Sequence, residues 1–103
     1  MSYQLHQTQS DFFKALAHPT RLQIMELLRS GERCVCEIFP ALEMEQSSVS
    51  RHLAILKREG LLHSRKDGLK VIYWAADLRV YQVIDRCSDI IRRIWQDKAE
   101  AVG

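Results

Sequence analysis

"MEQSSVSRHLAILKREGLLHSRKDGLKVIYW", residues 44–74, changes its hydrophobic period half-way along. In the first part Val49, Leu53 and Leu56 stand at i, i+4 and i+7, which makes one stripe of an α-helix. Gly60 follows, at the place where a helix takes a left-handed cap. In the second part Leu62, Val71 and Tyr73 flank Asp67-Gly68, a strong short hairpin signal. A helix leading into a hairpin is expected here.

Working outward, "SDFFKALAHPT" reads as a short first helix with Phe12, Phe13, Leu16 and Ala17 at helical spacing. Pro19 disfavours the α region at His18, so that helix is expected to stop there. A second helix follows, with capping-box spacing at Thr20 and Gln23 and core contacts from Leu22, Ile24, Met25, Leu27 and Leu28. Ser30-Gly31 ends it. A short element over 36–43 precedes the quoted helix. A last helix covers about Leu78 to Ala99, with Val80, Val83, Ile84, Cys87, Ile90, Ile91, Ile94 and Trp95 recurring every three or four residues. This order predicts a mainly α fold with a small β-hairpin, a winged helix-turn-helix, as one domain over residues 1–103. The wide stripe of the last helix exceeds what so small a domain covers by itself. A homodimer burying the N- and C-terminal helices is the expected solution.

Composition narrows the function. No apolar run approaches the roughly 20 residues of a membrane span, so no membrane partner is expected. The start, "MSYQLHQTQSDFF", lacks a basic region followed by an apolar stretch, so the expected location is cytoplasmic. Three cysteines without framework spacing read as thiols in a reducing compartment, and no structural disulfide is expected. Residues 46–70 carry six cations against Glu59 and Asp67, a net +4, in a chain whose total is only +2. A local basic patch suits double-stranded DNA. The residues placed to meet it are Gln46, Ser47, Ser48, Ser50, Arg51 and His52 at the start of the second helix of the helix-turn-helix. Arg65, Lys66 and Lys70 on the hairpin would reach phosphate or the minor groove. No His/Asp constellation stands near the cysteines, so the chain is not read as an enzyme.

Upstream lies "GERCVCEIFPALE", residues 31–43, with Cys34 and Cys36 one residue apart. Joined to the stretch quoted above, and with "LAHPTRLQIMELL" before it, it resembles the ArsR/SmtB family of metal-responsive repressors over about residues 12–77. The Cys-Val-Cys motif is similar to that of the arsenical-sensing branch. The resemblance implies a homodimeric repressor that needs no cofactor to bind operator DNA. It implies release when the inducer, arsenite or antimonite, binds Cys34 and Cys36. The branch's third cysteine falls at Phe39 here, which leaves Cys87 as a candidate third ligand. The family's zinc site on the last helix is not carried over: Asp85-x-Cys87 echoes its first half, but Lys98 stands where histidine is needed.

Thiolates favour soft ions, and two of them make only half of a tetrahedral zinc site. Residues two apart in a helix are rotated by roughly 200°, whereas in an extended chain they point the same way. A shared ligand is therefore expected to require a non-helical backbone over 34–36. Pro40 either weakens the turn that bears the thiols or begins the following helix as its first residue. The expected mechanism is that ligand locks this segment extended and shifts the helix-turn-helix out of its two-half-site fit. The alternative is a thiol-redox or persulfide trigger of the same fold, with Cys87 joined to Cys34 or Cys36.

Overall fold

The computed structural model describes residues 2–102. Its elements run α1 (Tyr3–Leu16), α2 (Pro19–Leu27), β1 (Arg33–Cys34), α3 (Val35–Ala41), α4 (Gln46–Arg58), β2 (Leu62–Asp67), β3 (Lys70–Ala75) and α5 (Val80–Val102). This is the expected mainly helical winged architecture, with one strand more than a hairpin supplies. The three strands form an antiparallel sheet in the order β1-β3-β2.

Helix α1 starts earlier than its apolar spacing indicates. Ser2 caps it by accepting from the Leu5 N–H, and the added first turns are polar and exposed. It is therefore not short. The break between α1 and α2 falls at His18, as Pro19 dictates. The cap of α2 is His18 itself, whose Nδ1 accepts from the Thr20 N–H at 3.1 Å, and not the expected Thr20/Gln23 box. The capping box sits instead on α3. There the Glu37 carboxylate accepts from the Cys34 N–H at 3.1 Å, and the Cys34 sulfur takes the place of a serine hydroxyl. Pro40 lies inside α3 and does not begin it. It deprives the Cys36 carbonyl of its partner, which is affordable in a helix of only seven residues.

Helices α3 and α4 both end in paired bonds of the Schellman type. After α3, Met44 N–H donates to Phe39 and Glu43 N–H to Pro40, with Glu43 itself at φ 54. After α4, Leu61 N–H donates to Leu56 and Gly60 N–H to Lys57, with Gly60 at φ 83. The hairpin loop is Gly68-Leu69, because Asp67 and Lys70 still pair. Gly68, at φ 63, fills the first loop position, where a type II′ turn takes glycine.

The core lies where the helices meet the root of the sheet. Ile24, Met25 and Leu28 of α2 and its cap, Ile38 of α3, and Val49, Leu53 and Leu56 of α4 close it, with Leu61 and Leu62 beneath. Leu22, expected in the core, is exposed. Helix α5 joins this core through its first turns, with Val80 and Tyr81 buried and Ile84 packed against them. The Tyr81 hydroxyl donates to the Met25 carbonyl at 2.7 Å, and burial pushes its pKa up to about 12. Arg29 rests over the same ring and makes paired bonds to Glu26 and Asp85, which ties α5 to α2. Beyond that clamp α5 leaves the body of the domain, and its apolar face is open.

Candidate nucleic-acid interface and thiol site

The N-terminal half of α4 presents a polar surface. Gln46, Ser47, Ser50 and Arg51 are exposed, and Ser48 is half-buried. They stand opposite the fully buried Val49, Leu53 and Leu56, so the hydrophobic stripe fixes which side chains face away from the protein. His52 is held differently. It is half-buried, its Nδ1 accepts from Arg21 Nε at 3.1 Å, and its ring lies 4.4 Å from that of His18. Arg21 also donates to the Ala15 carbonyl at the end of α1. His52 thus braces α4 against the α1–α2 corner and does not stand out with its neighbours as an expected DNA contact. Burial, followed by the positive charges of His18, Arg21 and Arg51, holds its pKa below the usual histidine value.

On the wing, Lys66 and Lys70 are exposed near the hairpin tip. Arg65 is engaged within the protein. Its Nη1 and Nη2 donate to the two oxygens of Glu32 at 2.6 and 2.8 Å, and its guanidinium lies 5.5 Å from the Trp74 ring centre. The same bonds hold the Glu32 carboxyl below its usual range. Sequence reasoning missed Glu32, because its partner is 33 residues away and reaches it only through the sheet.

The cysteines occupy the joint between β1 and α3. Cys34 is buried and extended, at φ −69 and ψ 146, and serves as the N-cap. Cys36 is exposed, in the first turn of the helix, and its N–H donates to the Cys34 sulfur at 3.0 Å. The backbone of 34–36 changes from strand to helix after Cys34, so the sulfurs meet here without a wholly extended segment. One expectation is corrected: the cysteine count and spacing predict no structural disulfide, but the sulfurs of Cys34 and Cys36 are joined as one, because the turn from strand to helix brings them together.

Around the pair lies a cavity of about 390 Å³. Val35, Phe39, Leu69, Val71 and Tyr73 give it apolar walls, and Gln46, Ser50 and Lys70 line it as well. Three expected DNA-facing residues therefore border the thiol site. Cys87 does not. It is a free, exposed thiol on α5 and lines a separate apolar cavity of about 740 Å³ between α1, α2 and α5. Within one chain it is neither a third ligand to the Cys34/Cys36 pair nor its disulfide partner. The Asp85 carboxylate beside it is taken by Arg29. Among the described residues no group of three or more His, Cys, Asp and Glu side chains is placed to hold a metal ion.

Residues 18–64 match the profile of the bacterial regulatory proteins of the arsR family. The arsenical resistance operon repressor of Escherichia coli K12 is 41% identical over 99 residues, covering 87% of this chain and 77% of that protein. The chain belongs to the arsR family. Solved structures agree with this membership. The crystal structure of Mycobacterium tuberculosis Rv0081 superposes with a TM-score of 0.85 at 32% identity, covering 95% of this chain and 99% of that one. The homodimeric winged helix-turn-helix DNA-binding domain of Mb0332 from Mycobacterium bovis gives 0.77 at 33% identity, over 86% and 88%. As a member of the arsR family the chain is a DNA-binding transcriptional repressor and not an enzyme. No helix among the described residues is long and apolar enough to cross a membrane.

Proposed function

We propose that this protein is a homodimeric repressor that releases its operator when trivalent arsenic or antimony bonds to Cys34 and Cys36. The observation that carries the reading is the convergence of two sulfurs at the joint that leads into the helix-turn-helix. A reducing compartment opens the disulfide by exchange with two equivalents of a small thiol: the first forms a mixed disulfide and frees one cysteine, the second releases the small disulfide and frees the other. The dithiol then takes arsenous acid: two As–S bonds form and two waters leave with the thiol protons. The third position on the metalloid stays with a hydroxyl or an external thiol, since Phe39 stands where a third cysteine would be.

The joint makes this chemistry mechanical. A metalloid atom bonded to both sulfurs ties together two side chains that move independently in the dithiol, and only Val35 separates their backbones. Strain there passes in two directions, into α3 of the helix-turn-helix and into the wing, because Cys34 pairs with Ile72 of β3. Binding of two half-sites needs both protomers in register, so a small displacement is enough to favour release.

The dimer is supported by the open face of α1 and α5, where Phe13, Ile90, Ile91, Ile94 and Trp95 are exposed, and by the homodimeric Mb0332 domain. Gln46, Ser47, Ser48, Ser50 and Arg51 are the proposed groove contacts, with Lys66 and Lys70 on phosphates. The test is a mobility-shift titration of the DNA upstream of the gene. Arsenite should release the wild-type protein. Cys34→Ser and Cys36→Ser should bind DNA as before and require at least about 100-fold more arsenite, a loss of some 2.7 kcal/mol. Undiminished release from both variants would remove the thiol pair from the mechanism.

A further inference from the structure

Glu32 lies immediately before β1 and two residues before Cys34. Its carboxylate takes both terminal nitrogens of Arg65 in a fork-to-fork contact. Cys34 and Arg65 pair with the same residue, Ile72, from opposite sides of β3. The ion pair therefore spans the whole sheet, from the segment that carries the thiols to the outer strand of the wing. Two consequences follow from its chemistry. The guanidinium fork is the geometry that also takes a phosphate, so Glu32 and DNA cannot both occupy it. The pair is about half exposed, with Arg65 at 46% and Glu32 at 52%. Such pairs contribute little to stability and exchange at low cost.

We propose that Glu32 is a built-in competitor for the DNA phosphate at Arg65, and that this contact links the thiol turn to the DNA affinity of the wing. The link rests on the repressor reading above; the competition does not. In the free protein Glu32 holds Arg65 over Trp74. On DNA a phosphate contends with the carboxylate for the same fork, and Glu32 keeps Arg65 from completing that contact. When a metalloid ties the two sulfurs together, the backbone that carries Glu32 is drawn with them, and ligand favours the internal pair over the phosphate. Glu32 acts through Arg65 and is a positioning residue.

The test uses the full-length protein, free of arsenite, and a mixed-sequence duplex of about 30 base pairs, long enough for two half-sites one helical turn apart. Affinity is measured from low to high salt for wild type, Glu32→Gln, Arg65→Gln and the double variant. Freeing Arg65 adds about one phosphate contact, so Glu32→Gln should steepen the salt slope by about one ion and tighten low-salt binding about threefold or more. Both changes should vanish when Arg65 is also replaced. Tightening that persists without Arg65 means plain repulsion between Glu32 and DNA, and overturns the proposal. So does unchanged or weaker binding by Glu32→Gln. If that variant folds poorly, Glu32→Ser reads the same quantity. With arsenite added, Glu32→Gln should need about threefold more for half-release. An equal requirement overturns the link. Wild type that is not released at all overturns the inducer reading, while the salt slopes still decide whether Glu32 competes for Arg65.

Discussion

Leu53 and Leu56 of α4 are fully buried, whereas Ile90 and Trp95 of α5 are 60% and 65% exposed, although all four belong to stripes of helical period. The α4 stripe meets Ile24, Met25, Leu28 and Ile38 of its own chain. The α5 stripe passes its clamp at Arg29 and Asp85, borders the open cavity against α1 and α2 through Cys87 and Ile91, and is exposed at Ile90, Ile94 and Trp95. Equal amphipathicity therefore has two outcomes, decided by whether the chain can fold back over the stripe. The DNA-facing end is closed by its own residues; the chain leaves the α1–α5 end open.

That contrast breaks most sharply at Ile94. Ile94→Glu places a charge on the open face, 46% exposed, away from the self-contained core. The protomer should keep its fold by circular dichroism and sediment as a monomer. Loss of the second half-site should weaken operator binding by about 100-fold or more. If Ile94→Glu remained a dimer with wild-type affinity, the open face of α5 would not be the interface.

The two ends also differ in how readily they are read from sequence. At the DNA end periodicity is decisive: Val49, Leu53 and Leu56 place α4, Gly60 ends it, and Asp67-Gly68 locates the hairpin to within one residue. What periodicity misses there is short or substituted. Strand β1 has two residues, too few for any alternation. Its capping box was hidden because the template has serine or threonine where this chain has Cys34. The seven-residue α3 tolerates Pro40, which in a longer helix would mark a boundary. At the other end, the first turns of α1 carry no apolar period because they cover nothing within the chain. The cap of α2 is a histidine ring nitrogen acting as acceptor, outside the usual set of capping side chains. The thiol pair was recognisable from Cys-Val-Cys and the surrounding resemblance. Its geometry was not, because neither pure helix nor pure strand describes a site that straddles the change from one to the other.

A finer test stays within the self-contained end. Gly60 and Glu43 occupy equivalent left-handed positions after α4 and α3. An L side chain there costs about 1–2 kcal/mol, against the extra unfolded-state freedom of glycine. Gly60→Ala should therefore lose about 1 kcal/mol by chemical denaturation. Glu43→Gly should gain up to about 0.5 kcal/mol, since the relief of strain is partly offset by that freedom. The reverse order would mean that the Glu43 side chain supplies a compensating contact that its backbone angle conceals.

The smallest expected effect lies at the brace between the two ends. His52 accepts from Arg21 through Nδ1, so the bond requires an unprotonated nitrogen. The groups facing it, His18, Arg21 and Arg51, all disfavour a further positive charge, and burial does so more strongly still. A histidine with a lowered folded-state pKa binds its proton more readily when unfolded. Its contribution is thus fully present above the unfolded value of 6.5 and is lost as pH falls from there toward the lower folded value. Wild type should show a falling stability below pH 6.5. His52→Gln keeps an acceptor for Arg21 but does not titrate, so it should match wild type near pH 8 and lose less on acidification. Equal acid dependence in the two proteins would assign the loss to other groups and leave His52 a purely steric support for α4.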